Sequence, residues 1–409
     1  MTSTKDADLD GSAQPKASRA APEVLGVLGA LQSRLRGGRL RVVLPSGRAV
    51  VLGVSDGGVQ ATLVVERWRA LRRLAVGGDI GFAESYIDGD LTTHDLVEAL
   101  RLAARNRDAL SSVVRASPLL RWLERLRHFL RRNTRGGSRR NIVAHYDLGN
   151  DFYRLWLDAR MQYSSALWAD DTPDLDSAQA RKLARVVELL DLSGRESVLE
   201  IGCGWGGLAA QLQGETMSKV VALTLSPAQL DWARALETPV DFRLQDYRDI
   251  RERFDRIVSI EMLEAVGKAW LPRYFDALAS ALNPGGRAVL QAITLDEALD
   301  ADYQKNPDFI QKYIFPGGFL PTKSALAALI ERAGLRVLQR ESFGLSYART
   351  LAEWRRRFHA NWADIAALGF DDRFRRLWDY YLCYCEAGFA EGTIDVSHYV
   401  LGPASPGRK

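Results

Sequence analysis

The sequence predicts an α/β protein, a doubly wound and mainly parallel sheet preceded by a small α+β unit. Three observations carry that prediction. An apolar strand-like run, Val198 to Ile201, feeds into the glycine loop Gly202, Gly204, Gly206 and Gly207 and then into a helical pattern. Strand-like and helix-like segments then alternate through KVVALTL, VDFRLQDYRDI, FDRIVSIEML and PGGRAVLQAITL, which requires at least five parallel strands. The composition, 47% hydrophobic and 26% charged over 409 residues, is that of a globular chain with room for two or three domains.

In chain order, residues 1–20 carry three aspartates and no apolar core, so a disordered tail and no secretory signal are expected. Residues 21–105 read as an α+β unit for docking or lipid-surface contact. A helix (VLGVLGALQSRL) precedes two strands, RLRVVLP and RAVVLGV, around the turn SGR, and two helices follow in GGDIGFAESYIDGDLTTHDLVEAL. Glu84, Asp88 and Asp90 read as turn and capping groups, not as metal ligands.

Residues 106–140 form a basic amphipathic helix and linker. From Arg115 to Arg140 there are nine arginines against one acid, Glu124, and Leu119, Leu123, Leu126 and Leu130 make an apolar stripe behind Ser117 and Pro118. That stripe can pack on a neighbouring domain, and the arginines can adsorb to an anionic membrane. Nucleic acid is disfavoured, because no recognised module accompanies the charge. Residues 141–409 remain for a catalytic domain with helical insertions. No apolar run approaches the length of a membrane span. Cys203, Cys383 and Cys385 suit neither a disulfide framework nor a metal site, so the cytoplasm is the expected compartment.

The glycine loop satisfies G-x-G-x-x-G, which by itself allows a dinucleotide. A nicotinamide site needs an acid at the end of the second strand, and here that strand ends in Thr224-Leu-Ser-Pro-Ala-Gln229. Glu200, just before the glycines, instead suits the amino group of S-adenosylmethionine. The reading is a Rossmann-like class I methyltransferase sheet.

At this point the motifs resemble the cyclopropane-fatty-acyl-phospholipid synthases and related lipid methyltransferases. GFAESYIDGDL, NIVAHYDLGNDFYRLWLDARMQYSSALW (141–168), EIGCGWGG, LTLSPAQ, QDYRDI, SIEMLEAVG, KYIFPGGFLP and FGLSYARTLAEWRRRF follow in the family's order over nearly the whole chain. The resemblance implies cofactor contacts at Tyr163, Ser164, Gly202 to Gly207, Thr224, Gln229, Gln245 and Asp246. It also implies a catalytic pocket that binds bicarbonate as proton acceptor, with Glu264 and Tyr347 among its ligands.

Two positions depart from the family. Its cysteine is Ser165 here, and its histidine is Gln291. Both still hydrogen-bond an anion, but neither supplies a thiolate or an imidazolium, so bicarbonate and a cyclopropane product are left open. EAVG, QAIT and PGGFLP look more like the branch that makes methylene- or methyl-branched fatty acids.

The implied reaction is methylation of an acyl-chain double bond in a phospholipid. The chain then carries a carbocation, so water must be excluded and positive charge stabilised. Tyr146, Phe152, Tyr153, Trp156, Tyr163, Tyr313, Phe315 and Tyr347 are aromatic candidates for that, and a packed core is the competing use of each. Glu264 is the candidate for organising proton removal, with Glu261 the weaker one and His145 a structural histidine. KYIFPGGFLP (312–321) reads as a lid or membrane-contact loop. Expected partners are a phospholipid membrane reached peripherally from the cytoplasmic face, a homodimer, and a reductase if the product is a methylene branch. A methyltransferase for another lipid-like acceptor and a lipid-binding pseudoenzyme are the alternatives.

Overall fold

The computed structural model describes residues 29, 32, 34–53, 58–113, 148–216 and 218–404. The predicted tail, the basic helix at 117–132, His145 and Tyr146 lie outside the described residues.

The N-terminal unit is built on a four-stranded sheet. Its strands are β1 (Gly38–Val43), β2 (Ala49–Gly53), β3 (Val59–Val65) and β4 (Leu91–Thr93), in the order β2-β1-β3-β4. The turn at Gly47 makes β1 and β2 a hairpin, whereas β3 returns parallel to β1. Helix Arg69–Ile87 breaks at Gly78 (φ 60°, ψ −135°), a conformation that favours a residue without Cβ.

Of the acids read from sequence as turn and capping groups, Asp88 is the C-cap of helix Arg69–Ile87, and all three are also ion-paired. Asp90 is fully buried against Arg67, Arg69 and Arg73, Asp88 pairs with Arg73 and Arg373, and Glu84 holds Lys312 and Tyr313. A buried carboxylate needs such partners, because desolvation otherwise costs several kcal/mol.

The second sheet has seven strands: β5 (Ser197–Ile201), β6 (Lys219–Thr224), β7 (Asp241–Leu244), β8 (Phe254–Ile260), β9 (Leu282–Leu295), β10 (Leu335–Ser342) and β11 (Ile394–Pro403). Their order is β10-β11-β9-β8-β5-β6-β7. The five strands β5 to β9 pair in parallel, as the alternation predicted, and β11 inserts antiparallel between β9 and β10. Helices cover both faces, which is why β5 reads as a continuous apolar run. Leu183, Val186 and Leu208 lie on one side, and Tyr274, Phe275 and Leu278 on the other.

A third layer is aromatic. Helices Gly344–Ala360 and Asp372–Ala390 pack Trp354, Phe358 and Trp378 against Phe152, Tyr153 and Trp156. The same core takes in Ala83, Ile87, Leu96 and Leu100 of the N-terminal unit. Tyr86 Oη donates to Asp379 Oδ2 at 2.6 Å, and Arg101 and Arg105 both bind Glu391, at 2.7 and 2.6 Å. The N-terminal helices are therefore a wall of the catalytic region.

Candidate active site

The chain runs outward from β5 to β6 and β7, then returns to place β8 on the other side of β5. The carboxyl ends at that switch point form the crevice where such sheets bind ligands. Gly202, Gly204 and Gly206 turn there with φ of 85°, 53° and 86°. A Cβ on Gly202 would meet Met262 at 2.7 Å, and one on Gly207 would meet the Gln162 side chain at 2.6 Å. Positions 202, 206 and 207 thus leave no room for a Cβ, and helix Gly207–Thr216 starts at the end of the loop.

Glu200 is buried on β5, and its Oε2 has no hydrogen-bond partner. Burial pushes its carboxyl up to about 8, against the pull of the Lys182 ammonium. Thr224 Oγ1 donates to Gln229 Oε1 at 2.9 Å, and Gln245 N is tied to Thr224 O at 3.1 Å. Asp246 accepts from Arg248 Nε at 2.8 Å and from its Nη2 at 2.6 Å. Ser164 Oγ accepts from Lys182 Nζ at 2.9 Å, and Tyr163 Oη meets Tyr381 Oη at 2.8 Å. A glycine cradle beside an unsatisfied buried carboxylate fits a ligand with an adenosyl body and an ammonium group.

The chemical end forms where β8 stops. Glu261 adopts φ 48°, strained for a residue with a Cβ, and its N–H donates to Gln291 O at 2.8 Å. That bend aims its carboxylate at three donors. Ser165 N and Gln291 Nε2 donate to Oε1 at 2.8 and 2.6 Å, and Tyr347 Oη donates to Oε2 at 2.6 Å. Burial raises the Glu261 carboxyl, and these three bonds with the Lys182 charge pull it back.

Three of the four positions assigned to a bicarbonate pocket, Ser165, Gln291 and Tyr347, therefore enclose Glu261. The fourth, Glu264, accepts from Ile293 N at 2.6 Å through Oε1, and its Oε2 has no partner. Burial and then the Glu261 charge push its carboxyl up to about 8. Glu261, the weaker candidate from sequence, is the residue at the centre.

Two functional candidates escaped the sequence. His398 on β11 lies opposite Gln291 in the sheet, and its Nε2 is 2.9 Å from Gln291 Oε1. Burial lowers its pKa to about 4, so the neutral ring gives Nε2–H to that oxygen and leaves the amide NH₂ for Glu261. Only strand register brings the pair together, which a lone histidine in an apolar strand does not signal. Lys182 looks like any solvated helix lysine in AQARKLARV but is fully buried.

Both glutamates line a cavity of about 1550 Å³ that runs from Tyr163 and Tyr347 past Phe315 and Phe389 to Leu40 and Val42 of the N-terminal sheet. Its wall is mostly apolar. Lys312, Phe315, Gly318 and Phe319 of the predicted lid segment line it, and Phe319 N is tied to Glu264 O at 3.0 Å.

A parallel sheet with this glycine cradle at its switch point defines a class I adenosylmethionine-dependent methyltransferase. The family model described as mycolic acid cyclopropane synthetase matches residues 134–399, and the chain belongs to that family. Tuberculostearic acid methyltransferase UfaA1 of Mycobacterium tuberculosis is 37% identical over 88% of this chain and 87% of its own. Cyclopropane-fatty-acyl-phospholipid synthase of Escherichia coli is 36% identical, covering 85% and 89%. The crystal structure of mycolic acid cyclopropane synthase CmaA1 complexed with SAH and CTAB aligns with a TM-score of 0.61 at 30% identity, over 64% of this chain and 97% of that one. The fold, the family and the methyl-donor cofactor expected from sequence are thereby borne out.

Proposed function

We propose that this C-methyltransferase acts on the double bond of an unsaturated acyl chain in a phospholipid, that Glu261 itself is the base, and that the product carries a methylene branch. One observation supports this above the others. The Glu261 carboxylate occupies the donor set that the family resemblance assigned to bicarbonate.

Adenosylmethionine, when bound, supplies an electrophilic methyl group. Glu200 would hold its ammonium, the glycine loop its adenosyl body, and Thr224, Gln229, Gln245 and Asp246 the far side of that crevice. The apolar cavity orients the acyl chain and keeps water from the carbocation that methylation leaves on it. Tyr163 and Tyr347 offer aromatic faces to that charge.

Glu261 then takes the proton. Oε1 already accepts two hydrogen bonds, so Oε2, with one, is the freer oxygen. After the cation has moved to the methyl-bearing carbon by a hydride shift, a methyl proton passes to Oε2, and the C–H electron pair becomes the new C=C bond. The bonds from Ser165, Gln291 and Tyr347 damp the nucleophilicity of the carboxylate, so that it removes a proton and does not form an ester with the cation. Glu264, held protonated near neutral pH, adds no second nucleophile.

An extended apolar cavity favours an acyl chain over a small acceptor, and an intact cofactor crevice with a poised base favours turnover over a lipid-binding pseudoenzyme. In this reading the lipid is reached peripherally; among the described residues no helix is long and apolar enough to cross a membrane. A methylene product is also a substrate for a separate reductase.

The test is incubation with labelled adenosylmethionine and mono-unsaturated phospholipid vesicles, followed by mass analysis of the released fatty acids. A gain of one CH₂ in a branched chain is expected. A ring overturns the product assignment, and no incorporation with cofactor bound overturns the activity.

A further inference from the structure

Lys182 is a fully buried lysine that the reaction above leaves unused. It lies on helix Leu175–Leu190 with no exposure to solvent, and among the described residues no carboxylate forms an ion pair with it. Its Nζ donates to two neutral oxygens, Gln162 Oε1 and Ser164 Oγ, both at 2.9 Å. Burying an ammonium costs several kcal/mol unless charge compensates it. The compensation here is at longer range. Glu261, Asp158 and Glu200 all favour the charged lysine, in that order, while burial lowers its pKa to about 8.

The position is specific. Residues 162–164 lead directly to Ser165, whose N–H binds Glu261 Oε1 at 2.8 Å. Gln179, one turn earlier on the same helix, donates to Ser164 O at 2.9 Å. One helix face therefore carries both the clamp on this segment and a positive charge behind Glu261.

We propose that Lys182 is a positioning residue for proton removal, whose buried ammonium is the counter-charge that keeps Glu261 ionised and whose hydrogen bonds hold residues 162–164. The inference rests on Glu261 as the base. Asp158, Glu200 and His398 also feel this charge. Asp158 binds the backbone N–H groups of Arg160 and Gln162 at 3.0 and 2.7 Å. Glu200 has an unpartnered Oε2, Tyr347 Oη donates to Glu261 Oε2 at 2.6 Å, and Glu264 Oε1 accepts from Ile293 N at 2.6 Å. His398 is neutral, its protonation opposed by burial and by Lys182 itself.

The experiment is the pH profile of kcat for Lys182→Met and Lys182→Gln, with adenosylmethionine affinity and thermal melting measured alongside. Gln keeps a donor for Gln162 and Ser164 but removes the charge, so it also serves if Met disturbs folding. In either variant the acidic limb is expected to move up by about a few tenths of a pH unit, less than on loss of the Tyr347 hydrogen bond, with activity regained at alkaline pH. A loss equal at every pH, or a limb that stays in place, overturns the role. Glu261→Gln, run in parallel, separates the two readings. A limb surviving in that variant overturns Glu261 as the base and this inference with it. A limb that Glu261→Gln abolishes but both Lys182 variants leave in place overturns the inference alone.

Discussion

Glu200 and Glu261 leave neighbouring parallel strands at the same edge of the sheet, both enclosed and both near Lys182, yet they are prepared for opposite tasks. Glu200 has an oxygen with no partner and a carboxyl pushed up to about 8. Glu261, its carboxyl also raised by burial, accepts from three donors in three separate parts of the chain. A carboxylate left short of partners stores a binding site for a cation. One whose charge is already hydrogen-bonded is kept ionised as a base. In the proposed mechanism this contrast lets one crevice hold a cationic methyl donor at one end and remove a proton at the other.

Removing the base should have the largest effect. Glu261→Gln is expected to lower kcat by about 10²- to 10⁴-fold with adenosylmethionine affinity retained, measured by steady-state kinetics and calorimetric titration. Equal losses in kcat and affinity would erase the distinction between the two glutamates. Glu200→Gln should do the reverse, weakening adenosylmethionine by about 10- to 100-fold through loss of a charge-assisted hydrogen bond.

The two ends also differ in proton traffic. The ammonium of the cofactor favours ionised Glu200, so binding near pH 7 should release up to about one proton, seen by titration in buffers of different ionisation enthalpy. Glu200→Gln should abolish the release. The same raised carboxyl sets a sign for stability. Its folded-state value lies above the unfolded one, so its contribution is full below about pH 4, where the unfolded carboxyl is also protonated, and is lost as pH rises toward 8. The ligand-free protein should melt lower at pH 8 than at pH 6 on this account, and Glu200→Gln should narrow that gap.

A smaller change is expected at Tyr347→Phe. It deletes one of the three bonds to Glu261 and should raise the acidic limb of kcat by less than about one pH unit, with little effect on cofactor affinity. An unmoved limb would mean that this bond does not set the ionisation of Glu261.

The cofactor end was legible because its determinants are local. The turn at Gly202 to Gly207 needs glycine wherever the chain goes next, and the second strand ends visibly without an acid. The chemical end was legible only as a set of positions. Ser165, Gln291, Tyr347 and Glu264 were named, but which glutamate they surround depends on a left-handed bend at Glu261 that no residue type announces. His398 and Lys182 carried no signal at all, since a histidine in a strand and a lysine on a helix are ordinary surface residues until strand register and helix packing bury them. At Glu84 and Asp88 the remote partners Lys312, Tyr313 and Arg373 likewise carried no signal, because they come from distant elements.

By itself the sequence determined the parallel sheet, the glycine cradle, the methyl donor and the family, because strand periodicity, tight turns and ordered motifs act over a few residues. The tertiary structure decided which carboxylate keeps an unpartnered oxygen and which one accepts from three donors, the difference on which the proposed mechanism rests. That choice depends on burial and on donors up to 96 positions apart in the chain, and such distances close only when the layers pack.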